Sequence, residues 1–324
     1  MKGKILVTPR SFRKYTGPHQ DMLREAGYEV INSPFDRLAE EDEMVEMLRD
    51  VDGCILGLDK VTARAIASAK RLKVISRYGV GVDNIDLDAA TAAGIVVTST
   101  PGTNHVAVAE FTLGLILALA RSIPQQIRIA KSGSFNALTG IELAGSTLGI
   151  VGLGHISREV ISRALALSMR VLVHTNYPDA GLKGVEYVPL NQLLREADFV
   201  SLHCAFTPDR LNLIGAEELK AMKPTAYLIN TARGELVDED ALYLALKEGW
   251  IAGAACDVFV HEPPVGSPLL ELENFIATPH AGARTHQAVM RMGILASENA
   301  LKVLRGERPE HVLNPQVYGE RLFL

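Results

Sequence analysis

Cysteine is scarce, with three copies in 324 residues. Cys54, Cys204 and Cys256 lie far apart and form no Cys-x-x-Cys pair, so neither a disulfide framework nor a zinc site is indicated. A reducing cytoplasm is the expected setting. A basic excess is also missing: 33 Lys and Arg face 38 Asp and Glu, a net charge of −5, with no Lys/Arg run. A nucleic-acid reader would carry the cations that counterion release requires. The longest apolar run, residues 106–120, is interrupted by Glu110, closed by Arg121, and shorter than the roughly 20 residues of a bilayer span. It is expected to be a buried helix. The first residues lack the apolar core of a signal peptide and run straight into a strand-like pattern. Nucleic acid and membrane are therefore not expected partners. No internal repeat, low-complexity segment or HExxH-type spacing is present, and no metal is expected.

The composition, 48% hydrophobic and 22% charged, is that of a globular protein. The length suits about two domains of roughly 150 residues. Short Val- and Ile-rich runs at residues 4–8, 53–56, 72–76 and 95–98 alternate with helix-period segments. After a long helical stretch at 105–131 the pattern restarts, with strands expected at 148–151, 170–174, 199–202, 227–230, 252–257 and 275–278. Near-continuous apolar strands separated by helices indicate parallel sheets covered on both faces. The expected fold is α/β, with two doubly wound parallel-sheet domains. Thr100, Pro101 and Gly102 form a turn cluster that marks a boundary. A last helix spans about 285–305 and ends before Gly306 and Pro309.

After the strand at 148–151 comes Gly152-Leu153-Gly154-His155-Ile156-Ser157, opening a helix. The first glycine permits a tight turn, the second lets a pyrophosphate approach the backbone, and the helix start offers free N–H groups and a positive dipole end. Ser157 stands where the motif prefers a third glycine. The next strand ends at His174-Thr175-Asn176 without the carboxylate that usually bonds the adenosine ribose. No Arg or Lys follows between His174 and Ala180 to hold a 2'-phosphate. NAD(H) is the expected cofactor, with tolerance of NADP(H).

Three later strand ends carry reactive side chains: Asn230-Thr231-Ala232-Arg233-Gly234, residues 257–263 with Asp257 and Glu262, and Thr278-Pro279-His280-Ala281-Gly282. In open α/β sheets ligands bind at this edge. Arg233 offers a fork for a carboxylate. His280 is of the type that donates and accepts protons near neutrality, and a neighbouring Glu262 would favour its charged form. Together they suit reduction of a keto acid. Taken singly, each of these residues also has an ordinary structural reading. His19, His105, His174, His261, His286 and His311 fall in no such constellation and receive no role.

These motifs, with Ser76-Arg77-Tyr78-Gly79-Val80-Gly81-Val82-Asp83-Asn84 and the stretch from Asn104 to Glu110, resemble the D-isomer-specific 2-hydroxyacid dehydrogenase family, within it most closely the D-3-phosphoglycerate dehydrogenase branch. The likeness runs from about residue 6 to 315 in one order. It implies a Rossmann-type cofactor domain, residues 101–292, and a flavodoxin-like substrate domain, residues 1–100 rejoined by 293–324. It implies that Arg233, Glu262 and His280 are catalytic. It further implies that Gly152, Gly154, His155, Ile156, Thr175, Cys204, Thr231, Asp257 and His280 meet the cofactor, and that Arg77, Val80, Gly81 and Arg233 meet the substrate. A homodimer built through the cofactor domains is implied as well.

The chain reads Gly57-Leu58-Asp59-Lys60 where phosphoglycerate dehydrogenases often place an arginine for the substrate phosphate. Lys60 or Arg77 is the available substitute, and an unphosphorylated acid is the alternative. Ending at Leu324, the chain is not expected to show serine feedback through an added domain. The leading single substrate is 3-phosphoglycerate, followed by glyoxylate, hydroxypyruvate or another small 2-keto acid. A rival of another class is an NAD(H)-sensing, corepressor-like binding protein, against which the intact Arg233, Glu262 and His280 set argues.

Overall fold

The computed structural model describes residues 2–319. Two compact units emerge: the residues up to Asn104 together with those from Arg284 on, and His105–Ala283 between them. The sequence placed these breaks at 100/101 and 292/293. The second falls inside a continuous helix, which belongs whole to the first unit.

That unit runs β1 (Gly3–Val7), α1 (Arg10–Lys14), α2 (Pro18–Glu25), β2 (Tyr28–Asn32), α3 (Glu41–Leu48), β3 (Gly53–Leu56), α4 (Ala63–Ser68), β4 (Val74–Arg77), α5 (Leu87–Ala92) and β5 (Val96–Thr98). The second runs α6 (His105–Ala120), α7 (Ile123–Lys131), β6 (Thr147–Val151), α8 (His155–Ala166), β7 (Arg170–His174), β8 (Val185–Tyr187), α9 (Leu190–Glu196), β9 (Phe199–Leu202), α10 (Ala216–Ala221), β10 (Tyr227–Asn230), α11 (Glu239–Glu248), β11 (Gly253–Cys256) and β12 (Phe275–Ala277). The chain then returns as α12 (His286–Leu304), which packs on α2 and β4.

Every strand pairing is parallel. The first sheet has the order β2-β1-β3-β4-β5, and the second β12-β11-β10-β9-β6-β7-β8. Both are doubly wound, with strand order reversing between β1 and β3 in one and between β6 and β9 in the other. Crevices for ligands open at the carboxyl ends of the strands at such reversals. Strand β6 shows why its neighbours pack as they do. Leu148 and Ile150 are fully buried in the layer with Ile116 and Val160, and Gly149 lies under α9, where a Cβ would come within 2.4 Å of Leu193.

The long helical stretch expected at 105–131 is two helices bent by 60° at Arg121 and Ser122, and Pro124 in the first turn of α7 supplies the reason. No single helix among the described residues is long and apolar enough to cross a membrane. Strands β2 and β8, which the sequence reading missed, are both sheet edges. Their residues are only partly buried, so they lack the continuous apolar run that marks the inner strands.

Beyond α12 the chain is tied back to β5 by the Leu313 N–H, which donates to the Val97 carbonyl at 2.9 Å, and by one buried side chain. Asn314, 2% exposed, accepts from the Val97 N–H at 2.8 Å and donates to the Ile95 carbonyl at 2.8 Å and to Thr91 Oγ1 at 3.2 Å. Asn314→Ala leaves two buried backbone groups without partners and should lower stability by roughly 2–4 kcal/mol. A urea midpoint within error of wild type would refute that role.

Candidate active site

The glycine turn joins β6 to α8 at the strand-order reversal. Gly152 has φ 97°, and a Cβ there would lie 2.6 Å from the backbone nitrogen of Cys204, so both backbone angle and close approach require glycine. A Cβ on Gly154 would meet nothing within 4 Å among the described residues. Open space there, above the free N–H groups that begin α8, is the clearance a pyrophosphate needs. Ser157, in the third motif position, is fully buried. Its hydroxyl accepts from the Gly154 N–H at 2.7 Å and lies 3.1 Å from the Gly154 carbonyl, doing locally what close helix packing on a third glycine would do. The residues present therefore fit a dinucleotide.

Thr175 follows β7 and its hydroxyl accepts from the Tyr177 N–H at 3.1 Å, forming a short turn. A cation does reach this region, from a direction the sequence reading overlooked. Arg158 on α8 bonds Asp179 at 2.7 Å, and that bond, the largest cause, holds the Asp179 carboxyl below its usual range. Cys204 is half-buried beside the glycine turn, and desolvation pushes its thiol upward, keeping it protonated. Its neighbour His203 accepts or donates a bond of 2.9 Å with Ser201 Oγ, and burial pushes the imidazole down to about 4.

The reactive strand ends come together in the same unit. Asn230 ends β10, accepting from the Ala232 N–H at 3.0 Å and donating to the Arg233 carbonyl at 2.7 Å, so it shapes the turn that carries Arg233. Arg233 donates to the Ala232 carbonyl at 2.7 Å. The next residue must be glycine, because a Cβ on Gly234 would fall 2.0 Å from the Phe259 carbonyl carbon. This close approach seats the Arg233 turn directly on the segment leading to Glu262. Thr231, buried, shares a 2.9 Å bond with Thr112 of α6.

Asp257, 2% exposed, accepts from Thr278 Oγ1 at 2.6 Å and from the Ala281 and Gly282 N–H groups at 2.8 Å each. Its own carbonyl accepts from the His280 N–H at 2.9 Å. Held this way, His280 takes φ 50°, an uncommon backbone angle that surrounding bonds must enforce. Its Nδ1 lies 2.9 and 3.1 Å from the two oxygens of Glu262. Glu262 also accepts from the Phe259 N–H at 3.2 Å. The bond to Glu262 assigns the proton to Nδ1 and leaves Nε2 for a reacting atom.

Arg77, Val80 and Gly81 belong to the other unit, at the end of β4. Arg77 is buried and donates to the carbonyls of Gly81 at 2.9 Å, Tyr78 at 2.5 Å and Leu56 at 3.4 Å. These bonds hold the loop in shape and leave Val80, 47% exposed, at its tip. After β3, Asp59 is buried and accepts from the Ala39 N–H at 2.9 Å, whereas Lys60 is exposed.

Comparison with known proteins gives the chain's relatives. A model of the NAD-binding domain of D-isomer-specific 2-hydroxyacid dehydrogenases matches residues 113–282. A D-3-phosphoglycerate dehydrogenase of Methanocaldococcus jannaschii is 46% identical over 290 residues, 87% of this chain but 55% of that one. A glyoxylate reductase of Thermofilum pendens is 42% identical over 331 residues, 98% of this chain and 96% of that one. Among solved structures, the TT0316 protein of Thermus thermophilus superposes with a TM-score of 0.87 and 41% identity, over 96% of this chain and 99% of that one.

Two outcomes follow. Gly154→Ala should fold as wild type yet weaken NADH binding at least ten-fold, while Gly152→Ala should lose stability as well; equal NADH affinity in Gly154→Ala by fluorescence titration would move the pyrophosphate elsewhere. For His203 the folded value lies below that of the unfolded chain. As pH falls from about 6.5 toward 4 the unfolded chain takes up a proton first, and stability drops by on the order of 2–3 kcal/mol. In His203→Gln that part of the acid-induced loss should vanish from urea titrations run across this window.

Proposed function

The chain belongs to the D-isomer-specific 2-hydroxyacid dehydrogenase family, and from that premise we propose that it interconverts a small D-2-hydroxy acid and the matching 2-keto acid with NAD(H). It is a member of an oxidoreductase family and carries that family's NAD-binding domain. The observation that carries the proposal is the His280–Glu262 pair at 2.9 Å, in one unit with Arg233 and the glycine turn.

When bound, the nicotinamide supplies the hydride. Protonated His280 gives its Nε2 proton to the keto oxygen, and in the reverse direction Nε2 takes the proton of the hydroxyl. Glu262, fixed on Nδ1, orients the ring and balances the charge of the imidazolium. Arg233 captures the substrate carboxylate with its planar fork. Asp257 is a positioning residue that holds the 278–282 loop.

Short unphosphorylated 2-keto acids, glyoxylate or hydroxypyruvate, are the favoured substrates. The loop after β3 offers a buried Asp59 and only an exposed Lys60 where a phosphate would need a built cation, and glyoxylate reductases match along nearly their whole length. The second reading, 3-phosphoglycerate, is supported by the 46% identical relative, of which this chain spans about half the length. Thr175 in place of a carboxylate at the end of β7 supports tolerance of NADP(H), since no acidic side chain stands there to repel a 2'-phosphate. A second copy of the chain would cover the apolar side chains exposed between residues 117 and 141, among them Ile127 and Phe135. Three unpaired cysteines suit a reducing, cytoplasmic setting.

His280→Ala should lower kcat by about 10²–10⁴ with NADH affinity retained, and Arg233→Lys should chiefly raise KM. A panel of 2-keto acids and 3-phosphoglycerate, run with both cofactors, identifies the substrate. Binding of NADH with no oxidation by any acid would support the corepressor-like rival.

A further inference from the structure

Helix α6 buries one polar side chain on an otherwise apolar face. Its buried residues are alanine, valine, leucine and isoleucine with the single exception of Thr112, which is fully buried. A hydroxyl in such a place needs partners for its proton and for its lone pairs. The Thr112 hydroxyl donates to the Val108 carbonyl one turn back at 2.8 Å, and its oxygen lies 2.9 Å from the Thr231 hydroxyl oxygen. A carbonyl cannot donate, and Thr112 has one proton to give. Thr231 is therefore the donor in the second bond and Thr112 its acceptor.

Thr231 opens the turn that carries Arg233. Asn230 shapes that turn from within, and it is seated on the rest of the unit at both ends, Gly234 against Phe259 and Thr231 on α6. The same turn of α6 also backs the His280 loop. A Cβ on Gly282 would lie 3.6 Å from Val108 Cγ1 and 3.7 Å from Phe111 Cδ1, ordinary contact distances. Val108, Phe111 and Thr112 stand at i, i+3 and i+4, on one face of the helix. That face is a common reference for the segment bearing the guanidinium and the segment bearing the imidazole.

In a 2-keto acid the carboxylate and the carbonyl to be reduced sit on adjacent carbons, so the fork and the proton donor must keep a fixed spacing. Resting on the reaction proposed above, we infer that Thr112 is a positioning residue that holds the Arg233 turn in register with the His280 loop. Being fully buried, it acts through Thr231 and not by contact with substrate. The bond to Val108 alone would satisfy a threonine that is merely tolerated in a helix, whereas the bond to Thr231 joins two elements 119 residues apart in the chain.

The probe is glyoxylate, or hydroxypyruvate if wild type reduces it faster, at saturating NADH. Thr112→Val keeps the shape and removes the acceptor, leaving the Thr231 hydroxyl buried without a partner. KM for the acid should rise about five- to ten-fold, with kcat within about two-fold of wild type. Thr112→Ser keeps the hydroxyl and loses a methyl, so its KM should stay within about two-fold of wild type even though its melting temperature falls. Loss of folded protein lowers the apparent kcat and leaves KM where it was, which separates positioning from a structural role. Thr231→Val should raise KM as Thr112→Val does, and the double variant should show no more than the larger single effect.

A wild-type KM in Thr112→Val, a KM in Thr112→Ser as high as in Thr112→Val, or a double variant in which the two single effects multiply would overturn this inference and leave the proposed reaction standing. If Thr112→Val does not fold, Thr231→Val against Thr231→Ser decides the same question by the same readout. No oxidation of NADH by any 2-keto acid in wild type would overturn the proposed reaction and this inference with it.

Discussion

The active geometry depends on one buried carboxylate. Asp257 gathers the Thr278 hydroxyl and the Ala281 and Gly282 N–H groups, while its own carbonyl takes the His280 N–H. A loop of five residues with a left-handed histidine would not hold that shape unaided, because a positive φ at a non-glycine residue must be enforced from outside. With the loop fixed, the imidazole meets Glu262 through Nδ1, and Nε2 is left on the other side of the ring. Gly234, which no side chain could replace beneath Phe259, locks the Arg233 turn to the same segment. His280, Glu262 and Arg233 are thus parts of one packed assembly.

The scaffold under this assembly follows from sheet topology. In a doubly wound parallel sheet all strands end at the same edge, so residues far apart in sequence arrive together: Gly152 after β6, Cys204 after β9, Arg233 after β10, Asp257 after β11 and His280 after β12. The order reversal between β6 and β9 opens the crevice that the glycine turn borders. The first unit repeats the principle with five strands, and its Tyr78–Gly81 loop is braced from within by the Arg77 guanidinium.

Much of this was legible in the sequence, for identifiable reasons. Inner strands such as β6 and β9 are buried on both faces and read as continuous apolar runs. Edge strands β2 and β8 are half-exposed and carry no such mark. Arg233, Glu262 and His280 could be singled out because their residue types and strand-end positions point to one chemistry. The bracing role of Asp257, the carbonyl bonds of Arg77 and the arrival of Arg158 beside Asp179 were not visible, since each depends on a contact between distant segments. Thr112 and Thr231 belong to the same class: 119 residues separate them, and only the packing of α6 on β10 makes them neighbours. The break between units was misplaced at 292/293 because helical period alone does not reveal which sheet a helix covers.

The central claim is that His280 delivers the proton and that Glu262 holds its ring in place. The most direct measurement is kcat for 2-keto acid reduction in wild type and in Glu262→Ala, which removes the partner of Nδ1. With that partner gone, kcat should fall by at least about ten-fold while NADH affinity is retained. A Glu262→Ala enzyme with the kcat of wild type would contradict the account.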